Sequence, residues 1–352
     1  MGPKSNTAAH AVGLELVELQ VEEKNPMKSK LASNAALIAL LLGCLAAPAM
    51  AWPQRDRSLV WAPPGRVDRL DLAGGPGGAA GAPKAPFTFV EEDTGGTNPK
   101  IKVRDARGVE WGVKWGEEVN SEVFASRLAW AVGYFVEPSY YVAKGTVNGV
   151  TGLDRAKKYV GPDGSFFAAR FERKDKGVTK LGDEQSWRWD QNPFVGSKEL
   201  NGLKVMMMLV SNWDSKDQRD ADRGSNTKLF VINTRSGTET RYVVSDWGGT
   251  MGKWGGIFRR AKWDCDGYAG QSDDFVKGVK NGLVEFGYAG QHTETIKDGI
   301  PLAHVQWLLT YLGRLSDAQI RAALRASGAS PGDEECFTRA VRSRISRLQA
   351  LR

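Results

Sequence analysis

The chain has 352 residues, of which 41% are hydrophobic, and a formal net charge of +7 at pH 7. This composition is ordinary for a globular protein and allows a full hydrophobic core. The mild basic excess suits anionic partners such as nucleotides or phosphates, although a soluble basic protein is equally compatible. The sequence contains no nucleic-acid-binding motif and no Cys/His spacing typical of a metal site.

Residues 27–51 have the features of a secretory signal peptide. Lys28 and Lys30 form the charged start, an apolar core begins at residue 36, and Ala49-Met50-Ala51 matches a small-x-small cleavage site. The run is too short to favour a permanent transmembrane helix. We therefore predict a secreted or periplasmic protein, cleaved after Ala51, with no transmembrane span after cleavage.

Two features of the leader, residues 1–51, leave alternatives open. Residues 1–26 precede a good start at Met27, so they are either a misassigned start or an unusual leader. Cys44 follows Leu41-Leu42-Gly43 and offers lipid attachment as an alternative to cleavage after Ala51. Leu42 is a poor match to the small residue usual at that position, which favours the secreted form.

Residues 52–85 are rich in Pro, Gly and Ala and predict a flexible linker, with the folded part beginning near Pro86. Residues 86–175 alternate apolar and polar residues and predict a β-rich section with one helix inserted. Its predicted strands are 87–90, 100–104, 109–115, 140–142 and 165–171, and its predicted helix is 119–132.

Residues 176–352 are mostly helical by pattern. The predicted helices are 197–210, 301–313, 316–326 and 333–351. A predicted β-hairpin lies between the first two of these helices, with strands 229–232 and 242–244. Residues 247–300 are rich in Gly and Asp and have no long periodic run. The chain is therefore predicted to be α+β, with a β-rich first section and a mostly helical second section.

The predicted strand 109–115 carries the first chemically informative residue. Val109, Trp111, Val113 and Trp115 share one face, so Lys114 points to the other face beside Gly112, which leaves room for a flat group. Glu122 on the following helix is the best carboxylate partner for the ammonium of Lys114. A surface salt bridge would give the same pattern.

Three further groups follow the logic of phosphoryl transfer. A glycine loop with Gly95, Gly96 and Lys100 can bring backbone N–H groups and a charge to phosphates. Asp214 lies in a polar loop where it could accept the proton of an attacking hydroxyl, and Lys216 could steady the transferred group. Asp246 follows a strand and precedes two glycines, which suits Mg²⁺. The structural alternatives are an ordinary turn for the glycine loop, a solvated loop for Asp214 and Lys216, and a turn-starting residue for Asp246.

Taken in order over residues 87–250, these residues resemble the HipA-type and phosphatidylinositol-kinase-like branch of the protein-kinase-like fold. The matching segments are Gly96-Thr97-Asn98-Pro99-Lys100, Val113-Lys114, Ser121-Glu122, Ala169-Arg170-Phe171-Glu172-Arg173, Asn212-Trp213-Asp214 and Val244-Ser245-Asp246. The resemblance implies a bilobal fold, with an N-lobe over 86–175 and a C-lobe over 176–352. It also implies that ATP and Mg²⁺ are used to phosphorylate a hydroxyl on a protein or a small envelope molecule.

By this resemblance Lys114 holds the ATP phosphates, Glu122 pairs with it, Asp214 is the base and Asp246 binds magnesium. The family places a second metal ligand, an asparagine, about five residues after its base, and here Arg219 stands there. Asp220 or Asp217 could substitute. If neither does, the protein is a nucleotide- or protein-binding pseudokinase.

A third reading is a carbohydrate-active protein, because the chain has twelve tryptophans and indole faces stack on sugars. Trp187, Trp189, Trp254 and Trp263 fall near glycine- and aspartate-rich loops, although core positions would explain them equally. No acid/base carboxylate pair stands out.

After cleavage only Cys265 and Cys336 remain, and in an oxidising compartment we predict that they form one disulfide. Two unpaired, partly buried thiols are the alternative.

Overall fold

The computed structural model describes residues 56–96 and 98–352. The predicted leader, its cleavage site and Cys44 lie outside these described residues. The described chain is α+β, with strands, helices and short 3-10 turns. No helix among the described residues combines the length and the apolar character that crossing a bilayer requires.

The segment from residue 56 to residue 85 differs from the predicted flexible linker. It begins with strand β1 (Arg57–Leu59), and the side chains of Val60, Val67 and Leu72 are buried in the larger hydrophobic core. The Trp61 Nε1–H also donates a hydrogen bond to Val132 O at 2.7 Å. Composition suggested a tether because glycine and proline dominate, but the few apolar residues between them are the ones that pack.

Five strands form a sheet whose two ends pair with each other. They are β2 (Phe87–Asp93), β3 (Lys100–Arg104), β4 (Glu110–Lys114), β5 (Ser139–Asn148) and β6 (Ser165–Arg173). The order is β2-β3-β4-β6-β5, and β5 returns to pair with β2 in parallel. Trp111, Val113 and Trp115 face the small core of this sheet, which places Lys114 on the other face.

Helix α1 (Val119–Ala131) follows β4 and is almost entirely buried. Its apolar residues Phe124 and Leu128 belong to the larger core, which is shared with the rest of the chain. The chain turns at Gly133, where φ is +101° and a Cβ atom would lie 2.3 Å from Ala62 O. Only glycine fits this close approach to the N-terminal segment.

A second sheet and a buried helix precede the two loops that carry Asp246 and Asp214. β7 (Val178–Lys180), β8 (Thr227–Thr234) and β9 (Gly237–Val244) form an antiparallel run, and β1 pairs in parallel with β9 at its edge. Helix α2 (Lys198–Leu209) begins at Ser197, whose side chain accepts a hydrogen bond from Leu200 N. The predicted hairpin and the predicted helix 197–210 are therefore present.

The remainder of the chain is mainly helical. Its elements are α3 (Cys265–Gly270), α4 (Ser272–Phe275), β10 (Val276–Lys280), β11 (Leu283–Phe286), α5 (Thr293–Lys297), α6 (Leu302–Leu312), α7 (Asp317–Ala326) and α8 (Pro331–Gln349). The three predicted C-terminal helices correspond to α6, α7 and α8. A disulfide joins Cys265 on α3 to Cys336 on α8.

The tryptophans considered for sugar stacking lie mostly inside the protein. Trp187, Trp189 and Trp254 are buried in the larger core, and Trp263 packs against it. Trp187 and Trp189 contact each other edge to face, with ring centroids 4.7 Å apart. Buried indole faces cannot stack on a sugar, so Trp187, Trp189 and Trp254 do not form a carbohydrate platform.

Candidate active site

A cleft of about 430 Å³ is lined by residues from both sheets. Lys114, Glu122, Asp214 and Asp246, which lie far apart in the sequence, all line it. Its volume falls within the usual range for small-molecule sites. The two loops that follow α2 and β9 form one wall, and strands β3, β4 and β6 form another.

Lys114 is the centre of an ion cluster in this cleft. Its Nζ lies 2.6 Å from Glu118 Oε2, 3.2 Å from Glu122 Oε2 and 3.9 Å from Asp246 Oδ2. Burial alone would lower the pKa of Lys114, but the charges of Asp246 and Glu122 raise that pKa above its usual value. The ammonium is therefore charged, fixed in place and directed at the strand exit.

Glu122 is held from two sides. One oxygen faces Lys114, and the other accepts a hydrogen bond from Arg170 on β6. Burial raises the pKa of Glu122 to about 7, against the opposing effects of Arg170 and Lys114. Arg170 stands directly opposite Lys114 in the strand register, so the sheet itself brings the two cations to one carboxylate.

Glu118 is a site residue that the sequence analysis did not select, because it lies between the predicted strand 109–115 and the predicted helix 119–132. It is the residue before α1, and its carboxylate contacts Lys114, Lys262 Nζ at 2.6 Å and Asn98 Nδ2 at 2.5 Å. Glu118 lies only four residues after Lys114, and the short turn between β4 and α1 brings the two side chains into contact. Glu118 therefore links the glycine loop, the lysine strand and residue 262.

Asp214 is positioned by the loop after α2. Its Oδ1 accepts a hydrogen bond from Gln291 Nε2 at 2.6 Å, and Lys216 Nζ lies 3.6 Å from its Oδ2. Asn212 Oδ1 accepts from Asp214 N, and Asn212 Nδ2 donates to Asp246 O. Burial raises the pKa of Asp214, although Lys216 lowers it. A half-buried carboxylate with a raised pKa is suited to accept a proton.

The β8–β9 hairpin places Asn226 beside Asp246. Asn226 precedes β8, Asp246 follows β9, and Ser245 N donates to Asn226 O at 2.9 Å. Asn226 Nδ2 donates to Asp214 O at 2.7 Å, which leaves its amide oxygen for another partner. Asn226 lies twelve residues after Asp214, whereas the resemblance had directed attention to about five residues.

Asp220, predicted as a metal ligand beside Asp246, is not among the residues that line this cleft. Asp220 contacts His292 and Arg223 and accepts from Asp217 N. Arg219, the residue that suggested a pseudokinase, also turns away and pairs with Asp217. Asp217, Asp220 and His292 lie close enough to share a cation, but the neighbouring arginines already neutralise the two carboxylates.

The glycine loop lines the same cleft. Gly95, Gly96 and Lys100 are all lining residues, and Gly96 has a φ of +67° that favours glycine. Lys100 stands opposite Lys114 in the strand register and lies 3.1 Å from Asp93. The loop therefore lines the cleft beside the ion cluster, with Gly95 N donating to Asp93 Oδ1 and Lys100 paired with the same carboxylate.

The space beside Gly112 is not open, contrary to the sequence-based expectation. A Cβ atom at Gly112 would lie 3.1 Å from Lys174 Cε, so the side chain of Lys174 covers this glycine. Lys174 pairs with Glu172, which stands opposite Gly112 in the register. Lys180 Nζ also lies 3.3 Å from Glu172. A flat ring at Gly112 therefore requires Lys174 to move.

The donor atoms fit a hard divalent cation. Glu118, Glu122 and Asp246 each offer a carboxylate oxygen within 4.8 Å of the others. Burial would raise the pKa of Asp246, but Lys114 and the Gly248 N–H lower it below its usual value, so this carboxylate is ionised. Oxygen-only sets of this type suit Mg²⁺ or Mn²⁺. Asp246 would hold the ion, with Asn226 lining the same cleft as a further oxygen donor, because Lys114 lies closer to the two glutamates than to Asp246.

Two glycines after Asp246 let the wall of the cleft close. A Cβ atom at Gly248 would lie 2.8 Å from the Glu118 side chain, and one at Gly249 would lie 2.9 Å from Asp214 Cβ. Trp213 N donates to Gly249 O, which ties the two loops together. Larger residues at these positions would displace Glu118 or Asp214.

No protein-family model matches the chain, and no curated protein matches it. Among solved structures, the chain is similar to the crystal structure of the Golgi casein kinase with Mn/ADP bound, with a TM-score of 0.38 and 9% identity over 80% of this chain and 75% of that chain. A second crystal structure of the Golgi casein kinase gives a TM-score of 0.30 and 9% identity over 81% and 77%. Similarity this distant leaves the assignment of function to the site itself.

Proposed function

We propose that this protein is a secreted or periplasmic atypical kinase with a bilobal kinase-like fold. In this proposal the cleft binds ATP with Mg²⁺ and transfers the γ-phosphoryl group to a hydroxyl of a protein or small envelope molecule. The observation that carries the proposal is the convergence of Lys114, Glu122, Asp214 and Asp246 on one cleft.

Each residue has a role that its surroundings support. Lys114, oriented by Glu122, would hold the nucleotide phosphates, and the glycine loop with Lys100 would cover them. Asp246 and Asn226 would hold the divalent cation that neutralises the phosphates. Asp214 would accept the proton of the acceptor hydroxyl as that oxygen forms a bond to the γ-phosphorus and the bond between the γ-phosphorus and the leaving ADP breaks. Lys216, near Asp214, would steady the transferred group.

The test compares two variants that make the same Lys-to-Met change, one inside the cleft and one outside it. Lys114→Met removes the charged tip and keeps the stem, so we expect ATP–Mg²⁺ affinity to fall about tenfold or more because the phosphates lose their main cation. Lys144→Met removes an exposed lysine from β5 and is the matched control. Binding is measured by calorimetry, and transfer is measured with labelled ATP and a mixture of proteins.

Equal ATP affinity in the two variants would exclude Lys114 from a nucleotide site. Binding in the parent protein without any transfer, even with Mn²⁺, would instead favour the pseudokinase alternative. That alternative has lost its main sequence argument, because Arg219 pairs outside the cleft. The covering of Gly112 by Lys174 remains compatible with it, since a base must displace this side chain.

A further inference from the structure

Arg127 on α1 is buried without a counter-ion in contact. The residue is 2% exposed, and it forms one hydrogen bond, from Nη2 to Ser139 O at 3.3 Å. Its Nε and Nη1 have no acceptor among the described residues 56–96 and 98–352. Burial lowers the pKa of Arg127 to about 10, although Tyr140 and Asp71 oppose this shift. Buried donors without acceptors are rare because they lower the free energy of unfolding, so a bound ligand that accepts from Arg127 would explain this side chain.

A groove of about 550 Å³ leads to Arg127 on a face separate from the ATP cleft. Its walls are mostly small and apolar, and they include Ala79, Ala82, Pro83, Val142, Ala143 and Ala326. Among the residues that the structure describes, Arg127 is the only cation that lines the groove. A ligand matching this groove therefore has one negative charge and a slim apolar body.

The glycine-rich segment 74–81 covers the guanidinium. Gly75 has a φ of +60°, and a Cβ atom there would lie 3.1 Å from Arg127 Nε. Tyr140 OH donates to Gly78 O at 2.9 Å and Arg107 Nη1 donates to Ala80 O at 2.7 Å, so two side chains hold the segment over Arg127. Because Arg127 is buried, a ligand must move this segment, and glycines tolerate such a change of backbone conformation.

Asp71, the acidic residue that lines the groove in the described part of the chain, uses one carboxylate oxygen in backbone hydrogen bonds. Asp71 Oδ1 accepts hydrogen bonds from Ala73 N at 3.0 Å and Gly74 N at 3.1 Å. Its carboxylate forms no ion pair with Arg127 within the described chain. These two backbone bonds hold Asp71 in a turn through Oδ1, so its charge acts on Arg127 without an ion-pair contact, and Arg127 Nε and Nη1 keep no acceptor in the described chain.

We propose that this groove binds a small organic carboxylate, with the carboxylate on Arg127 and the hydrocarbon part against the alanine-lined wall. A planar guanidinium matches a carboxylate in a two-point contact. A phosphate carries more charge than a single cation can offset between apolar walls. This inference is independent of the proposed kinase activity, because no residue of the ATP cleft takes part.

The test compares matched ligands on the full chain. Thermal unfolding is measured with hexanoate, with 1-hexanol as its neutral counterpart, and with inorganic phosphate. We expect hexanoate at about ten times its Kd to raise the Tm by about 2 °C, and the other two to have little effect. Amide hydrogen exchange in residues 73–82 should change with hexanoate alone, because the covering segment moves.

Three variants make the test specific to the groove. Arg127→Met should abolish the hexanoate shift, Ala143→Phe should abolish it by filling the groove from an exposed position, and Arg69→Met, which removes an exposed arginine, should retain it. If Arg127→Met does not fold, Ala143→Phe and the exchange measurement decide.

Four results would overturn the inference. Hexanol could match hexanoate, which would show an apolar groove without charge recognition. Phosphate could exceed hexanoate in an Arg127-dependent way, which would show a different ligand class. A third result would be that none of the three ligands changes the Tm. Finally, Asp71→Asn could lower the Tm while hexanoate does nothing, which would show that Asp71 itself serves as the counter-ion.

Discussion

At the scale of single residues, Glu122 makes the stability of the apo protein depend on pH. Burial raises its pKa to about 7, whereas in the unfolded chain the pKa is that of an ordinary glutamate. The stabilising effect is thus complete below about pH 4.5 and is lost as the pH rises through about 7. Between these limits the unfolded chain releases a proton that the folded protein keeps, which costs on the order of 3 kcal/mol.

We expect Glu122→Gln to make this decrease shallower, because the amide has no proton to release, while Glu137, whose pKa burial also raises to about 7, keeps its own contribution. The measurement is the midpoint of thermal unfolding from pH 5 to pH 8 without nucleotide or metal. Glu110→Gln on β4, at a half-exposed position, is the control and should keep the parent slope. Identical slopes in parent and Glu122→Gln would mean that Glu122 does not titrate in this range.

A second prediction at this scale separates two candidate cation ligands. Asn226→Ala removes an amide side chain that lines the same cleft as Asp246, so the affinity for ATP–Mg²⁺ should fall about tenfold. Asp220→Asn changes a carboxylate that contacts His292 and Arg223 outside the cleft, so the affinity should stay close to that of the parent. Calorimetry with and without Mg²⁺ measures both. The reverse order would restore Asp220 as the ligand.

The sequence identified individual residues of the cleft better than their neighbours. Lys114 and Glu122 could be predicted because a strand and the following helix fix their separation. Asn226 could not be found by counting from Asp214, because the intervening loop has no fixed length. The register of the predicted hairpin would have placed Asn226 beside Asp246, and this was the usable signal.

At the scale of elements, Arg344 on α8 fastens three helices. It is fully buried, and its donors reach Leu209 O at 2.9 Å, Ser211 Oγ at 2.8 Å and Tyr268 O at 2.7 Å. Its guanidinium carbon also lies 3.6 Å from the centre of the Tyr268 ring. The end of α2, the body of α3 and α8 are therefore joined by one side chain.

We expect Arg344→Met to destabilise the protein by about 3 kcal/mol, because buried oxygen acceptors lose their donor. Arg347→Met, on the same helix and paired with Asp273 at the surface, should cost less than about 1 kcal/mol. Urea unfolding gives both values. Similar midpoints for the two variants would contradict a fastening role for Arg344.

Long periodic helices and alternating strands were predictable, but the short elements between residues 265 and 297 were not. Helices α3, α4 and α5 have six, four and five residues, too few to show a period. The hairpin of β10 and β11 carried an overlooked signal, since Asn281-Gly282 separates its two strands. Asn-Gly favours the tight turn of a two-residue hairpin.

At the scale of the whole molecule, residues 56–72 are part of the fold. Val60→Ser, Val67→Ser and Leu72→Ser together replace three side chains buried in the larger core, each worth about 2 kcal/mol. Their sum is comparable with the stability of a typical domain, so the triple variant should be largely unfolded or aggregated. Circular dichroism and size-exclusion chromatography measure this.

The matched control changes three exposed arginines of the same segment to serine, namely Arg57, Arg66 and Arg69. This control should fold, because no buried side chain is lost. A folded triple variant with buried positions replaced would show that the segment is a dispensable tether, as its composition suggested. Composition failed here because a few apolar residues at buried positions outweigh many glycines.

The parallel pairing of β1 with β9 has a consequence in time. Residues 57–59 emerge early from the ribosome, yet they must wait for residues 239–241 before they find their sheet partner. Closing such a long loop is slow compared with forming a local turn. The strand that leads to Asp246 therefore gains this parallel neighbour only after residues 239–241 have been made, so the wall of the cleft that carries Asp246 is completed late in folding.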